Sequence, residues 1–172
     1  MSRNQSTGDI LRPLADTPQQ AYLSRSVQVA DILRWILDQT GPADVRMTSF
    51  SISEEFLRRI FFIRKENLVR SLDIVLDFKA TNKTLLLWPF IAQTVRHCYL
   101  ADNHSKILLV SNENWKVAVI MSQNLTRGNR YESGIISTCP DMFESLSSQL
   151  HQLITRQSVP FHEIFARTTG KH

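Results

Sequence analysis

The stretch His104-Ser-Lys-Ile-Leu-Leu-Val-Ser-Asn-Glu-Asn-Trp-Lys-Val-Ala-Val-Ile-Met121 decides the fold class. Ile107-Leu-Leu-Val110 is apolar on both faces, as expected of a strand in the middle of a covered sheet. Asn112-Glu-Asn-Trp115 reads as a turn, and Lys116–Met121 returns as a second strand. Because side chains two apart on a strand share a face, His104 and Lys106 point the same way. Beyond the returning strand, Ser122-Gln-Asn124 repeats that spacing, and Glu132 precedes Gly-Ile-Ile. A hairpin between the two strands therefore brings two polar pairs to one edge of the sheet.

Outward from this centre, strands and helices alternate. Strands are expected at Asp44–Ser51, Ser71–Lys79, His97–Leu100 and Gly134–Thr138. Pro18–Gln39 has helical periodicity, with Val27, Ala30, Leu33 and Leu37 on its apolar face and Gly41-Pro42 as its stop. Ser51-Ile-Ser-Glu54 has capping-box spacing before a helix carrying Phe56, Leu57, Ile60 and Ile63. A helix-like stretch runs from about Thr84 to Val95, kinked or started late by Pro89. Pro140 opens a last helix with Phe143, Leu146, Leu150, Leu153 and Ile154 inward. The pattern predicts an α/β sandwich: a mixed central sheet covered by helices. Residues 1–17 read as a flexible arm, and residues 18–172 as one domain.

Composition sets the outer limits. With 172 residues, 42% hydrophobic and 21% charged, the chain has enough material for one ordinary core. The longest apolar run, around Leu85–Ile91, falls short of the roughly 20 residues that span a bilayer. The polar N-terminus lacks the apolar segment of a secretory signal, so a cytoplasmic protein without a membrane partner is expected. Cys98 and Cys139 have no metal-type spacing and read as buried free thiols. A net charge of +4 and a pI near 9.3 suit a phosphate-bearing partner.

The chemistry of His104–Glu132 follows from its side chains. An imidazole can attack phosphorus and hold it covalently. Lysine, asparagine and serine donors can grip phosphoryl oxygens as charge develops, and a carboxylate can fix an imidazole tautomer. No cluster of carboxylates suggests a metal, so neither metal nor cofactor is called for. Arg127 and Arg130 follow the group and are placed to contact flanking phosphates. Arg58-Arg59 and Arg64-Lys65 read as a solvated helix face, and His97, His151 and His162 as structural or exposed.

His104-x-Lys106, the two strands, Ser122-x-Asn124-Leu-Thr and Glu132 together resemble the signature of the phospholipase D superfamily, over about 95 residues from Asp44 to Thr138. The resemblance implies an α/β/α sandwich and a metal-independent phosphodiesterase. His104 would be the nucleophile that forms a phosphohistidine, and Lys106 and Asn124 would bind the non-bridging oxygens. Ser122 would support them, and Glu132 would orient a histidine. Two positions depart from the family pattern: Ser111 stands where it has aspartate, and Met121 where a glycine usually precedes the serine. The chain holds one His-x-Lys, whereas the family's enzymes use two histidines. A homodimer with two half-sites across its axis is therefore expected, acting as a nuclease on nucleic acid. The alternative implied by Ser111 is a phosphate- or nucleic-acid-binding member with weak or lost turnover.

Overall fold

The computed structural model describes residues 6–170. Its first half runs α1 (Thr7–Ile10), β1 (Gln19–Ser24), α2 (Val29–Thr40), β2 (Ala43–Thr48), α3 (Glu54–Lys65) and β3 (Val69–Asp77). The second half runs α4 (Thr81–Thr94), β4 (His97–Ala101), β5 (Ile107–Ser111), β6 (Lys116–Met121), β7 (Glu132–Ser137), α5 (Pro140–Gln157), β8 (Val159–Pro160) and α6 (Phe161–Thr169). The strands form one sheet in the order β1-β7-β6-β5-β2-β3-β4-β8. Only β2–β3 and β3–β4 are parallel, linked by the crossover helices α3 and α4; the other pairings are antiparallel.

Strand direction decides where loops meet. The carboxyl ends of β1, β2, β3, β4 and β6 and the amino ends of β5 and β7 share one end of the sheet. The segments that carry His104, Lys106, Ser122, Asn124 and Glu132 therefore emerge at that end, and the Asn112–Trp115 turn lies at the other.

The apolar run of β5 is covered on both sides. Leu108 and Val110 join the larger core with α2 and α3, through Ile32, Leu33, Ile36, Leu57 and Ile60. Leu109 joins Val75, Ala101 and Ala118 under Phe143 and Leu150 of α5. Each buried Leu, Ile or Phe contributes roughly 1.5–3 kcal/mol from removal of apolar surface, which is why this strand holds the centre of the sheet. Gly41 ends α2 as predicted, with φ 76° that a side chain would resist, and its N–H bonds Leu37 O at 2.9 Å.

Several expectations are corrected. The helix expected over Pro18–Gln39 is a strand followed by a shorter helix. Gln19–Ser24 pairs with β7, turning Tyr22 and Ser24 inward and leaving Leu23 71% exposed, so inward polarity and outward apolarity hid the alternation. The expected loose arm is anchored at two residues: Leu11 and Leu14 are buried, and Leu14 N–H bonds Gln39 Oε1 at 2.7 Å. Residues 1–5 of that arm lie outside the described residues. The cap of α3 is Ser53, whose hydroxyl accepts from Phe56 N, rather than Ser51. The α4 helix starts at Thr81 and runs through Pro89. Cys98 is buried, as expected, but Cys139 is exposed just ahead of α5. The C-terminal β8 and α6 were not anticipated; Phe161 is fully buried against the Trp88 ring.

Candidate functional site

The loops at the carboxyl ends of β2 and β6 lie against each other, the second carrying Ser122 and Asn124; His104 and Lys106 come from the segment before β5, and Glu132 opens β7. Ser53 N–H bonds Leu125 O at 2.8 Å, and Leu125 N–H bonds the Ser49 hydroxyl at 3.0 Å. Phe50 N–H donates to Asn124 Oδ1 at 3.2 Å. That donor fixes which end of the amide faces Phe50, so the Asn124 NH2 is directed away, with no partner among the described residues. The Phe50 ring lies 5.6 Å from the His104 ring. One residue thus positions both Asn124 and His104.

His104 is set by a buried polar lattice beneath it. Asn103, 5% exposed, receives a hydrogen bond on Oδ1 from Ser105 N–H at 3.2 Å and donates from Nδ2 to Ser49 O at 3.1 Å. Its own N–H bonds the buried Asp77 carboxylate at 2.9 Å. Thr48 and Ser105 share a hydroxyl hydrogen bond at 2.7 Å, and Thr48 Oγ1 accepts from Ile107 N–H at 3.0 Å. Such satisfied buried networks hold a backbone in one arrangement, because each unmade bond would cost about 1–3 kcal/mol.

Above this lattice Lys106 Nζ lies 2.9 Å from His104 Nδ1 and bonds His104 O at 2.8 Å. An ammonium can only donate, so Nδ1 presents its lone pair to it and the ring proton of a neutral imidazole is on Nε2. Across the hairpin, Met121 N–H bonds Lys106 O at 3.1 Å, which brings Ser122 next to this pair. The Ser122 hydroxyl donates to Glu132 Oε2 and accepts from Ser133 N–H at 3.1 Å. Glu132 also lies near the Tyr22 phenol, which burial first and this carboxylate second push well above its usual range.

The predicted residues thus fall at one end of the sheet in two contacting pairs, His104–Lys106 and Ser122–Glu132, with Asn124 tied to the first through Phe50. Glu132 meets Ser122, and no histidine is bonded to it among the described residues. Arg127 Nη1 pairs with Glu55 at 3.2 Å, and Arg130 is exposed with no ion pair among the described residues. Asn124 and Arg127 line a small cleft, with room for about one water, at the start of α2 and α3.

Ser111 is a different case. It ends β5, opposite Asp44 and Lys116, at the far end of the sheet. Five residues of extended strand separate it from Lys106, on the order of 16 Å. The departure at Ser111 therefore does not remove a group from the site, and the doubt it raised about turnover has no structural basis there. Sequence reasoning missed Phe50, Asn103, Ser49 and Asp77. Asn103 adjoins His104 and could have been suspected; nothing in the pattern marks Phe50, whose role arises from a loop about 75 residues from Asn124.

No protein-family model matches the sequence, and no curated protein matches it. Solved structures match in fold. Nuc from Salmonella typhimurium, a phospholipase D family member, superposes with a TM-score of 0.64 at 17% identity, over 83% of this chain and 96% of that one. NucT from Helicobacter pylori gives 0.59 at 12% identity, over 81% and 98%. A phosphatidylserine synthase from Haemophilus influenzae gives 0.57 at 10% identity, over 84% of this chain and 40% of that one.

Proposed function

We propose that this chain, which has the phospholipase D-like fold, is a metal-independent phosphodiesterase that acts on nucleic acid as a homodimer through a phosphohistidine. The observation that carries the proposal is the gathering of His104, Lys106, Asn124 and the Ser122–Glu132 pair at one end of that sheet.

In this reading an arriving phosphoryl group draws Lys106 and the Asn124 NH2 onto its non-bridging oxygens. Release of Nδ1 lets the ring proton move there, which leaves the Nε2 lone pair free to attack phosphorus. The N–P bond forms, the P–O bond to the leaving group breaks, and the partner's His104 gives that oxygen its proton. The partner's His104 then takes a proton from water, whose oxygen attacks phosphorus. The P–N bond breaks, its electron pair returns to Nε2, and the phosphomonoester leaves. In this reading positive charge comes from Lys106, and Glu132, beside Ser122, orients a histidine of the second copy.

A face for that second copy is available. Leu23, Ile120 and Ile135 are 71%, 42% and 45% exposed. They lie together, since Ile135 pairs with Ile120 on one side and Ala21 on the other. The patch reaches Ser122 and Ser133. The composition favours nucleic acid over lipid as the diester: the charge is +4 and no helix among the described residues can cross a membrane.

The test is hydrolysis of a chromogenic phosphodiester with chelator present. Wild type should turn over, His104→Ala should lose activity below detection, and Lys106→Ala and Asn124→Ala should each lose about 10²–10³-fold. Ser111→Asp should leave the rate unchanged. Activity that survives His104→Ala, or that depends strictly on a divalent cation, refutes the mechanism. A phosphate-binding protein without turnover is the second reading, favoured by the engagement of Glu132 with Ser122. It predicts phosphate binding that falls with Lys106→Ala and Asn124→Ala but no hydrolysis by wild type.

A further inference from the structure

Next to the cleft at Asn124 lies a polar groove of about 500 Å³, whose lining shares Gln28, Glu55, Arg59 and Arg127 with that cleft. Two of the groove's arginines are already paired: Arg59 with Asp31, and Arg127 with Glu55. The third, Arg25, has no carboxylate partner among the described residues. Its Nη2 bonds Asn129 Oδ1 at 3.1 Å, and its guanidinium lies 5.9 Å over the ring of Tyr131. Tyr131 is 67% exposed, although it directly precedes Glu132 and so adjoins the hairpin end. The loop is further held by Gln28 Nε2, which bonds Gly128 O at 3.2 Å.

An aromatic ring left open to water beside a guanidinium that has no carboxylate partner among the described residues, next to the cleft lined by Asn124, matches the chemistry of a nucleotide with its base unstacked. The ring offers a π-face to the base, and the arginine offers charge to the neighbouring phosphate. Within a duplex the base faces are already covered by their neighbours, so only an unpaired strand presents one. We propose that Arg25 and Tyr131 form a stacking subsite for a base flanking the phosphate at His104, and that the chain selects single-stranded nucleic acid. The proposal rests on the phosphodiesterase reading only for the position of the reacting phosphate; the subsite itself is a binding site.

The experiment is fluorescence anisotropy with a labelled ten-residue thymidine oligonucleotide and with a duplex of matched length, at one fixed ionic strength. Both are measured in the His104→Ala background so that nothing is consumed. The single strand should bind more tightly than the duplex by about tenfold or more. Tyr131→Ala should weaken single-strand binding by about tenfold while leaving duplex binding nearly unchanged, and Tyr131→Trp should restore it. Arg25→Ala should weaken the single strand and flatten its salt dependence. Circular dichroism melts confirm that the variants remain folded, as expected for a residue this exposed.

Equal affinity for the two forms, or single-strand binding indifferent to Tyr131→Ala, overturns the proposal. The two readings fail separately. Hydrolysis by wild type with Tyr131-independent binding removes the subsite and keeps the enzyme; Tyr131-dependent binding without hydrolysis does the reverse.

Discussion

Asp73, on the interior strand β3, shows how a single residue ties the sheet to pH. Its side chain is 12% exposed and receives bonds from Arg96 Nε at 3.0 Å and Nη2 at 2.7 Å, with His97 Nδ1 at 3.1 Å. Burial acts to raise the carboxyl, but Arg96 and then His97 outweigh it and hold it below its usual 3.8. A folded-state value below the unfolded one means stability that is fully present above about pH 4 and lost as pH falls through the folded value. Asp73→Asn should therefore cost about 1–3 kcal/mol at pH 7 and progressively less towards pH 2, as urea unfolding at the two pH values would show. Equal stability of variant and wild type at pH 7 would contradict this. At this scale the sequence was most legible where spacing places side chains together, in His104-x-Lys106 and Ser122-x-Asn124. It was silent about Phe50 and Asp77, because a residue that positions another does so across space and leaves no local pattern.

Among the elements, the β1–β7 pairing carries more than its length suggests. A Cβ on Gly134 would lie 2.6 Å from the Tyr22 ring. That ring cannot readily retreat: its hydroxyl donates to Gln123 Oε1 at 2.7 Å, and Gln123 Nε2 donates to Val27 O. The same contact pins the loop bearing Ser122 and Asn124, so β1 supports the site although no site residue lies on it. Gly134→Ala should cost about 1–3 kcal/mol through overpacking, read as a lower urea midpoint with an unchanged slope; a wild-type midpoint would show that the ring moves freely. The helices α3 and α5 and the β5–β6 hairpin were readable because their apolar periodicity is strong over many residues. The strand β1 was not, since Leu23 faces water and Ser24 faces inward.

For the whole molecule, the issue is whether one half-site finds another. The exposed Leu23, Ile120 and Ile135 lie on the outer face of the β1-β7-β6 edge, which α5 leaves bare, and their patch ends at Ser122. If this is the dimer face, Ile135→Glu should convert the protein to a monomer by light scattering and abolish diester hydrolysis while the far-ultraviolet circular dichroism stays unchanged. A variant that remains a dimer would move the interface elsewhere, and a wild type that is strictly monomeric would exclude the paired-histidine mechanism.

The amino-acid sequence alone determined the α/β class, the central apolar hairpin, the main helices and the identity of the polar group from His104 to Glu132. Each of these is written in short-range terms: periods of two or 3.6 residues, turn residues between them, and side chains two apart on a strand. Only the tertiary structure decided the strand order, the packing of Leu11 and Leu14, the arrival of Phe50 beside His104, and that of Ser49 and Asp77 beside Asn103. Those outcomes depend on which strands pair and in which direction. Pairing is selected by the burial of whole faces against one another, a property of the assembled layers that no stretch of the chain carries by itself.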